Sequence, residues 1–205
     1  MKIAPYIATG VLAFGVAYGI AAGPRPSPAP APAATTRQTD GEYVVDKVHS
    51  GLYFKIGHGV GTFLGRFNEL SGTFAMDPAK PEPGSMQFTV QTESVDTNND
   101  GRDKHLRSAD FFNVKQFAEI TFKSKSVTKS ANGFDVAGDL TITGTTKPVT
   151  VKITNFKTGM NPQNKKESAG FEATLTINRN DFGITKYPGM LGDDVTIVIG
   201  IEGAR

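Results

Sequence analysis

Asn132-Gly133-Phe134-Asp135-Val136-Ala137-Gly138-Asp139-Leu140-Thr141-Ile142 is the stretch whose reading decides the fold. Phe134, Val136, Leu140 and Ile142 share one side of an extended chain, opposite Asp135, Asp139 and Thr141. That period of two marks a half-buried strand. The Asn-Gly pair in front of it is a strong hairpin signal, because both residues accept the positive φ of a tight turn. The strand before it therefore runs antiparallel. Working outward, the same alternation recurs at Tyr43 and Val45, at Leu52, Phe54 and Ile56, at Phe74 and Met76, and at Met86, Phe88 and Val90. It continues at Ile120 and Phe122, at Val149, Val151 and Ile153, at Phe171, Ala173, Leu175 and Ile177, and at Val195, Ile197, Ile199 and Ile201. Turn formers separate the runs: Asp77-Pro78, Pro81–Gly84, Gly144, Gly159–Pro162 and Gly189–Asp194. The spacing leaves no room for repeated βαβ crossovers. About eight antiparallel strands remain.

Each strand has one apolar face, so the sheet must close on itself or meet a second sheet. Closure removes vulnerable edges and, at about eight strands, leaves an interior able to hold one small ligand. Two packed sheets without a cavity are the alternative. Long aromatic side chains crowd the apolar faces (Phe54, Phe63, Phe74, Phe88, Phe122, Phe134, Phe171) and tryptophan is absent, which together favour the barrel. One segment breaks the alternation. Arg102–Asn113 is polar and then abruptly aromatic, with Asn98 to Asp100 as caps, and predicts a short helix near residues 100–110 with Leu106 and Phe111 or Phe112 packed inward.

Residues 1–39 contain no acidic residue and half of the 12 prolines, whereas residues 40–205 read as globular sequence. Lys2, Arg25 and Arg37 carry three positive charges, so residues 40–205, with 19 basic and 20 acidic residues, sum to −1 against +2 for the whole chain. A near-neutral domain whose only adjacent basic pair is Lys165-Lys166 gives no footprint for nucleic acid. Cysteine is absent, which excludes thiol chemistry, cysteine metal sites and lipidation of a leader cysteine. Lys2 and the uncharged run Ile7–Ala22 predict a signal peptide over 1–22, cleaved after Ala21, or an uncleaved anchor of the ~20 residues that span a bilayer. Pro24, Pro26, Pro28, Pro30 and Pro32 make 23–39 an extended tether. The expected location is the periplasm or the exterior, with anchoring to the inner membrane if the leader stays.

Chemical motifs fare poorly. Asp96-Thr97-Asn98-Asn99-Asp100-Gly101 opens like a calcium loop, but the twelfth position, which needs a bidentate glutamate, is Arg107. Its carboxylates are expected to cap the helix and pair with Arg102, Lys104 or Arg107. His49, His58 and His105 lack a short ligand spacing for zinc, so no metal is expected. No nucleophile elbow occurs, and Gly144-Thr145-Thr146-Lys147 lacks the glycine spacing of a phosphate loop. Nothing identifies a catalytic pair, so the protein reads as a non-enzyme without a catalytic residue. Glycines 57, 59, 61 and 65 predict a glycine-rich hairpin or flap at the barrel mouth.

Several blocks resemble the YceI-like family. They are Tyr43-Val44-Val45-Asp46 with His49-Ser50; Ile56-Gly57-His58; Gly65-Arg66-Phe67 with Leu70-Ser71-Gly72-Thr73-Phe74; and Ser94-Val95-Asp96-Thr97-Asn98. Arg102-Asp103-Lys104-His105-Leu106-Arg107-Ser108-Ala109-Asp110-Phe111 is the most specific. Gly138-Asp139-Leu140-Thr141-Ile142, Thr146-Lys147-Pro148-Val149, Gly170-Phe171-Glu172-Ala173 and Asn178-Arg179 before Asp181-Phe182-Gly183 extend the likeness over the whole domain. The resemblance implies an exported, lipocalin-like, closed eight-stranded barrel that binds or carries a long-chain isoprenoid or quinone-like lipid, held non-covalently and without a further cofactor. An exported stress-response or interaction protein without lipid cargo, and a lipid-modifying enzyme, are the rival readings. The apolar strand faces nominate Phe54, Ile56, Phe63, Phe74, Phe88, Val90, Phe122, Phe134, Val136, Phe171 and Leu175 as cavity residues. His58, Arg102, His105 and Arg107 are the candidates for a head group at the mouth. The expected partners are a hydrophobic small molecule or lipid, a nearby membrane through the N-terminal segment, and a second copy as an open alternative.

Overall fold

A computed structural model of the protein describes residues 41–205; the expected leader (1–22) and tether (23–39), with the domain's first residue Asp40, lie outside the described residues. The period-two runs form β1 (Tyr43–Val45), β2 (Gly51–His58), β3 (Gly61–Phe67), β4 (Leu70–Ala75), β5 (Ser85–Gln91) and β6 (Val95–Asp96). After α1 (Asp100–Leu106) come β7 (Glu119–Ser130), β8 (Gly133–Ile142), β9 (Thr145–Met160), β10 (Glu167–Asn178) and β11 (Leu191–Ala204).

Three staves of the barrel are broken. β2 pairs with β3 and β1 with β4, while β3 pairs with β6 and β4 with β5. Thus β1–β2, β3–β4 and β5–β6 act as single interrupted staves, and β7 to β11 supply five more. β11 closes the ring by pairing with β2 along Leu191–Gly200 and with β1 at Gly203 and Ala204. The result is the expected closed eight-stranded antiparallel barrel with one short helix. Closure leaves no long open edge.

Local sequence explains the corners. The two-residue turn between β8 and β9 places Thr143 at φ 48° and Gly144 at φ 73°, the doubly positive geometry that matches strand twist. A Cβ on Gly144 would stand 2.7 Å from the Phe117 ring, so glycine is required twice over. Asn155, at φ 54°, sits in a bulge of β9 opposite Gly170–Glu172. The bulge shifts the alternation, so that Phe156 follows Ile153 into the interior.

The two poles differ. At one end Tyr43 stacks on Phe74 at 5.1 Å, Phe74 meets Phe171 edge-on at 5.1 Å, and Phe156 lies against Phe134 and Phe171. Met76, Val127 and Val136 fill the remaining space, and this pole is closed. The chain enters the barrel here: Arg205 Nη1 donates to the Gly41 carbonyl at 2.8 Å. The β2–β3 hairpin, α1 and the segments 107–118 and 183–190 gather at the other end.

Candidate functional site

Above the closed pole the barrel encloses a cavity of about 550 Å³, within the ordinary range for a small-molecule site. Its wall is apolar except for His58, Thr97, Arg102, His105, Arg179 and Tyr187. All six come from α1, strand ends or connecting segments of the open end, so polarity is confined to the mouth. Exposed lining residues there (His58, Arg102, Tyr187, Met190) mark the opening.

Of the expected cavity residues, Phe54, Ile56, Phe63, Phe88, Val90, Phe122, Phe171 and Leu175 line this space. Phe74, Phe134 and Val136 do not. They lie on the correct strand face but at the height of the closed pole, where neighbouring rings and Val127 cover them. The rings in the bore lie along the wall. Phe54 pairs with Gly65, and a Cβ at Gly65 would stand 2.3 Å from the Phe54 ring. The absent side chain lets that ring fold flat instead of crossing the lumen.

At the mouth, Asn99 caps α1 by accepting from the Arg102 amide at 2.9 Å. The cap sets Arg102 on the first turn. Its Nε donates to Thr97 Oγ1 at 2.8 Å and its Nη2 to the Thr97 carbonyl at 2.7 Å, while the guanidinium lies 4.2 Å above the Phe63 ring. Buried Asp103 accepts from the Thr97 amide at 2.9 Å and from its hydroxyl in a short hydrogen bond. Among the described residues no carboxylate pairs with Arg102, so an oriented cation stands at the rim with its Nη1 unengaged. His105 Nε2 lies 3.0 Å from Asp110 Oδ2, which also takes an ion pair from Lys186 at 3.1 Å. Hydrogen bonds from His105 and then Lys186 hold the Asp110 carboxyl below its usual range. The His105 ring stands edge-on to Phe111 and to Tyr187, which joins α1 to the 183–190 segment. His58, at the end of β2, lines the opening and makes no side-chain hydrogen bond among the described residues.

Arg107 is the correction at the mouth. It does not line the cavity: its Nε and Nη2 donate to the carbonyls of Glu93 and Val95 at 2.7 and 2.8 Å, and it pairs with Glu93 at 3.4 Å. One turn beyond Arg102, it faces the wall and clamps α1 to β6. The aspartate that opens the apparent calcium loop is also differently engaged. Asp96 accepts from Arg66 Nε and Nη2, from Asn68 and from the Asn98 amide, and none of Arg102, Lys104 or Arg107 pairs with it. Those bonds bring its pKa down from 3.8 to about 2. The cap of the helix is Asn99 rather than a carboxylate.

Arg179 had no role in the sequence reading beyond its place in a family block. It is 3 % exposed, and its guanidinium donates to the carbonyls of Ile184, Lys186, Leu191 and Gly192 and to Asp193. It thereby folds residues 183–193 over the barrel end and carries Phe182, Ile184, Tyr187 and Met190 into the wall. No period-two signal marks these four, because they sit in irregular backbone.

Comparison with known proteins follows the same boundaries. The YceI-like domain family model matches residues 43–203. A UPF0312 protein of Ectopseudomonas mendocina is 42% identical over 168 residues, 80% of this chain and 87% of the relative. The crystal structure of Burkholderia cenocepacia BcnA superposes with a TM-score of 0.69 at 26% identity, over 77% of this chain and 98% of that one. A polyisoprenoid binding domain from Saccharophagus degradans, implicated in plant cell wall breakdown, shares the fold at a TM-score of 0.60 and 15% identity, over 79% and 97% of the two chains. The chain belongs to the YceI-like domain family.

Proposed function

We propose that the barrel binds and carries a long-chain isoprenoid or similar lipid, with the tail in the bore and the head at the rim. One observation carries this reading: the cavity is apolar along its length, sealed at one pole and polar only at its mouth. Each methylene removed from water contributes ~0.8 kcal/mol. A long tail therefore supplies ample transfer energy, offset by the ordering of a flexible chain. The polyisoprenoid-binding description of the Saccharophagus domain, which has the same fold, supports the class of ligand.

Arg102, His105 and His58 are the head-group residues in this proposal, and Arg107 is not. Lipid extracted from purified protein and identified by mass spectrometry tests the cargo; a barrel that returns no lipid and takes up no prenol overturns it. Matched titrations with a prenyl alcohol and a prenyl phosphate test the head. Arg102→Ala weakens only the phosphate, by about 1.5–3 kcal/mol for a lost charge-assisted hydrogen bond. Equal weakening of both ligands would assign Arg102 to the fold alone.

A further inference from the structure

The rim of the mouth exposes Val60, Tyr187 and Met190, of which Tyr187 and Met190 also line the opening and Val60 does not. Val60, at the tip of the β2–β3 hairpin, is 112% exposed between Gly59 and Gly61, and Gly59 has a φ of 56°. The Gly59 amide donates to the Met190 carbonyl at 2.9 Å, so the hairpin tip and the 183–190 segment project as one unit. Met190 is 55% exposed, and Tyr187 beside it is also exposed. An isolated exposed apolar residue carries no meaning; three on two linked projections at the entrance to an apolar cavity do.

We propose that this rim docks on a lipid bilayer, with Val60 and Met190 entering the interfacial region, so that cargo passes between membrane and barrel without crossing water. The proposal rests on the lipid carriage proposed above. Three features favour a bilayer over a protein partner. The projecting set is three residues, against the roughly 20–30 per side of a stable protein interface. The side chains stand at the tips of loops rather than on a flat face, a shape suited to insertion. The first described residue, Gly41, is held at the closed pole by Arg205, at the opposite end of the barrel from the mouth. A tail leaving through water would meet a barrier that grows with every methylene, and contact with the bilayer removes that barrier.

The closed pole provides an internal control, because Val48 and Met160 are exposed there to 86% and 65% and neither lines the apolar barrel cavity. The chain contains no cysteine, so single probes can be placed in the full-length protein. Val60→Cys and Val48→Cys, each labelled with an environment-sensitive fluorophore, are mixed with phosphatidylcholine–phosphatidylglycerol vesicles carrying brominated acyl chains. The expected result is a blue shift and quenching at position 60 and neither at position 48. A probe at 60 that stays in water, or one at 48 that enters the bilayer instead, overturns docking by the rim. A second measurement separates docking from binding. Val60→Asp, outside the cavity lining, is expected to slow prenol transfer from vesicles roughly tenfold, from loss of one inserted valine, while its affinity for prenol in detergent solution is unchanged. Wild-type transfer rates in Val60→Asp would defeat the proposal. If the wild-type protein takes up no prenol in detergent, the cavity reading falls, and the vesicle probe at position 60 still decides the docking.

Discussion

At the closed pole Tyr43, Phe74, Phe134, Phe156 and Phe171 fill the barrel from wall to wall; in the bore Phe54, Phe63 and Phe88, residues of the same kind on the same apolar strand faces, are half-buried and face open space. The difference lies in what stands opposite each ring. Toward the pole, rings from β1, β4, β9 and β10 converge, helped by the Asn155 bulge that turns Phe156 inward. In the bore, Phe54 lies over Gly65, and Phe88 and Phe122 lie similarly close to Gly72 and Gly138. Rings that meet one another close a barrel. A glycine beneath a ring does not by itself leave a barrel open, since Phe74 lies over Gly203 at the closed pole; in the bore it lets the ring fold against the wall where no second ring meets it from across the lumen.

The largest expected effect breaks the contrast at the pole. Phe74 is fully buried, so Phe74→Ala removes a ring with no room to relax and destabilises by about 3–5 kcal/mol. Phe88→Ala, at a half-buried site facing the cavity, costs under about 2 kcal/mol on the same area logic. Urea unfolding of the two variants side by side measures this, and equal losses would mean that the bore is as tightly packed as the pole.

Next comes a charge in the bore. Phe88→Asp leaves a carboxylate without a partner in an apolar wall, and loss of at least ~3 kcal/mol in ligand affinity, roughly a hundredfold, is expected in prenol titrations. Retained binding by a folded Phe88→Asp protein would place the ligand elsewhere. Gly65→Ala sharpens the comparison directly. The new methyl displaces the Phe54 ring toward the lumen, which narrows the cavity at an overpacking cost of about 1–3 kcal/mol. Prenol affinity should fall further than that of a short, thin alkanol; an unchanged ratio would remove glycine from the explanation of the open bore.

The smallest effect lies on the outer wall of the mouth. Asp96 has its folded-state pKa lowered to about 2, by the Asn98 amide and then by Arg66 and Asn68. A lowered carboxylate stabilises the fold fully above its unfolded pKa, near 3.8, and that contribution disappears as pH falls toward 2. Asp96→Asn should flatten the loss of stability between pH 4 and pH 2 and leave ligand binding at neutral pH intact. Urea midpoints across that acid range check it, and an unchanged acid slope would assign the lost stability to other carboxylates.

The sequence by itself determined the strand faces and the antiparallel order. Period two at positions such as Phe134–Ile142 is a property of the extended backbone, and the turn at Gly144 follows from the ease with which glycine takes a positive φ. It also determined where the alternation stops for a helix, since the polar run and the Asn99 cap are local. Height along the barrel was invisible. Phe74 and Phe88 carry the same signal, and only their neighbours from distant strands make one a plug and the other a wall. The mouth was legible in part for the same reason. Arg102 and Arg107 lie five residues apart on one polar segment, yet the fold turns the first toward the opening and the second onto the carbonyls of Glu93 and Val95. Arg179 organises its loop only because four carbonyls from residues 184–192 converge on it, and convergence of separate backbone groups has no periodicity to read.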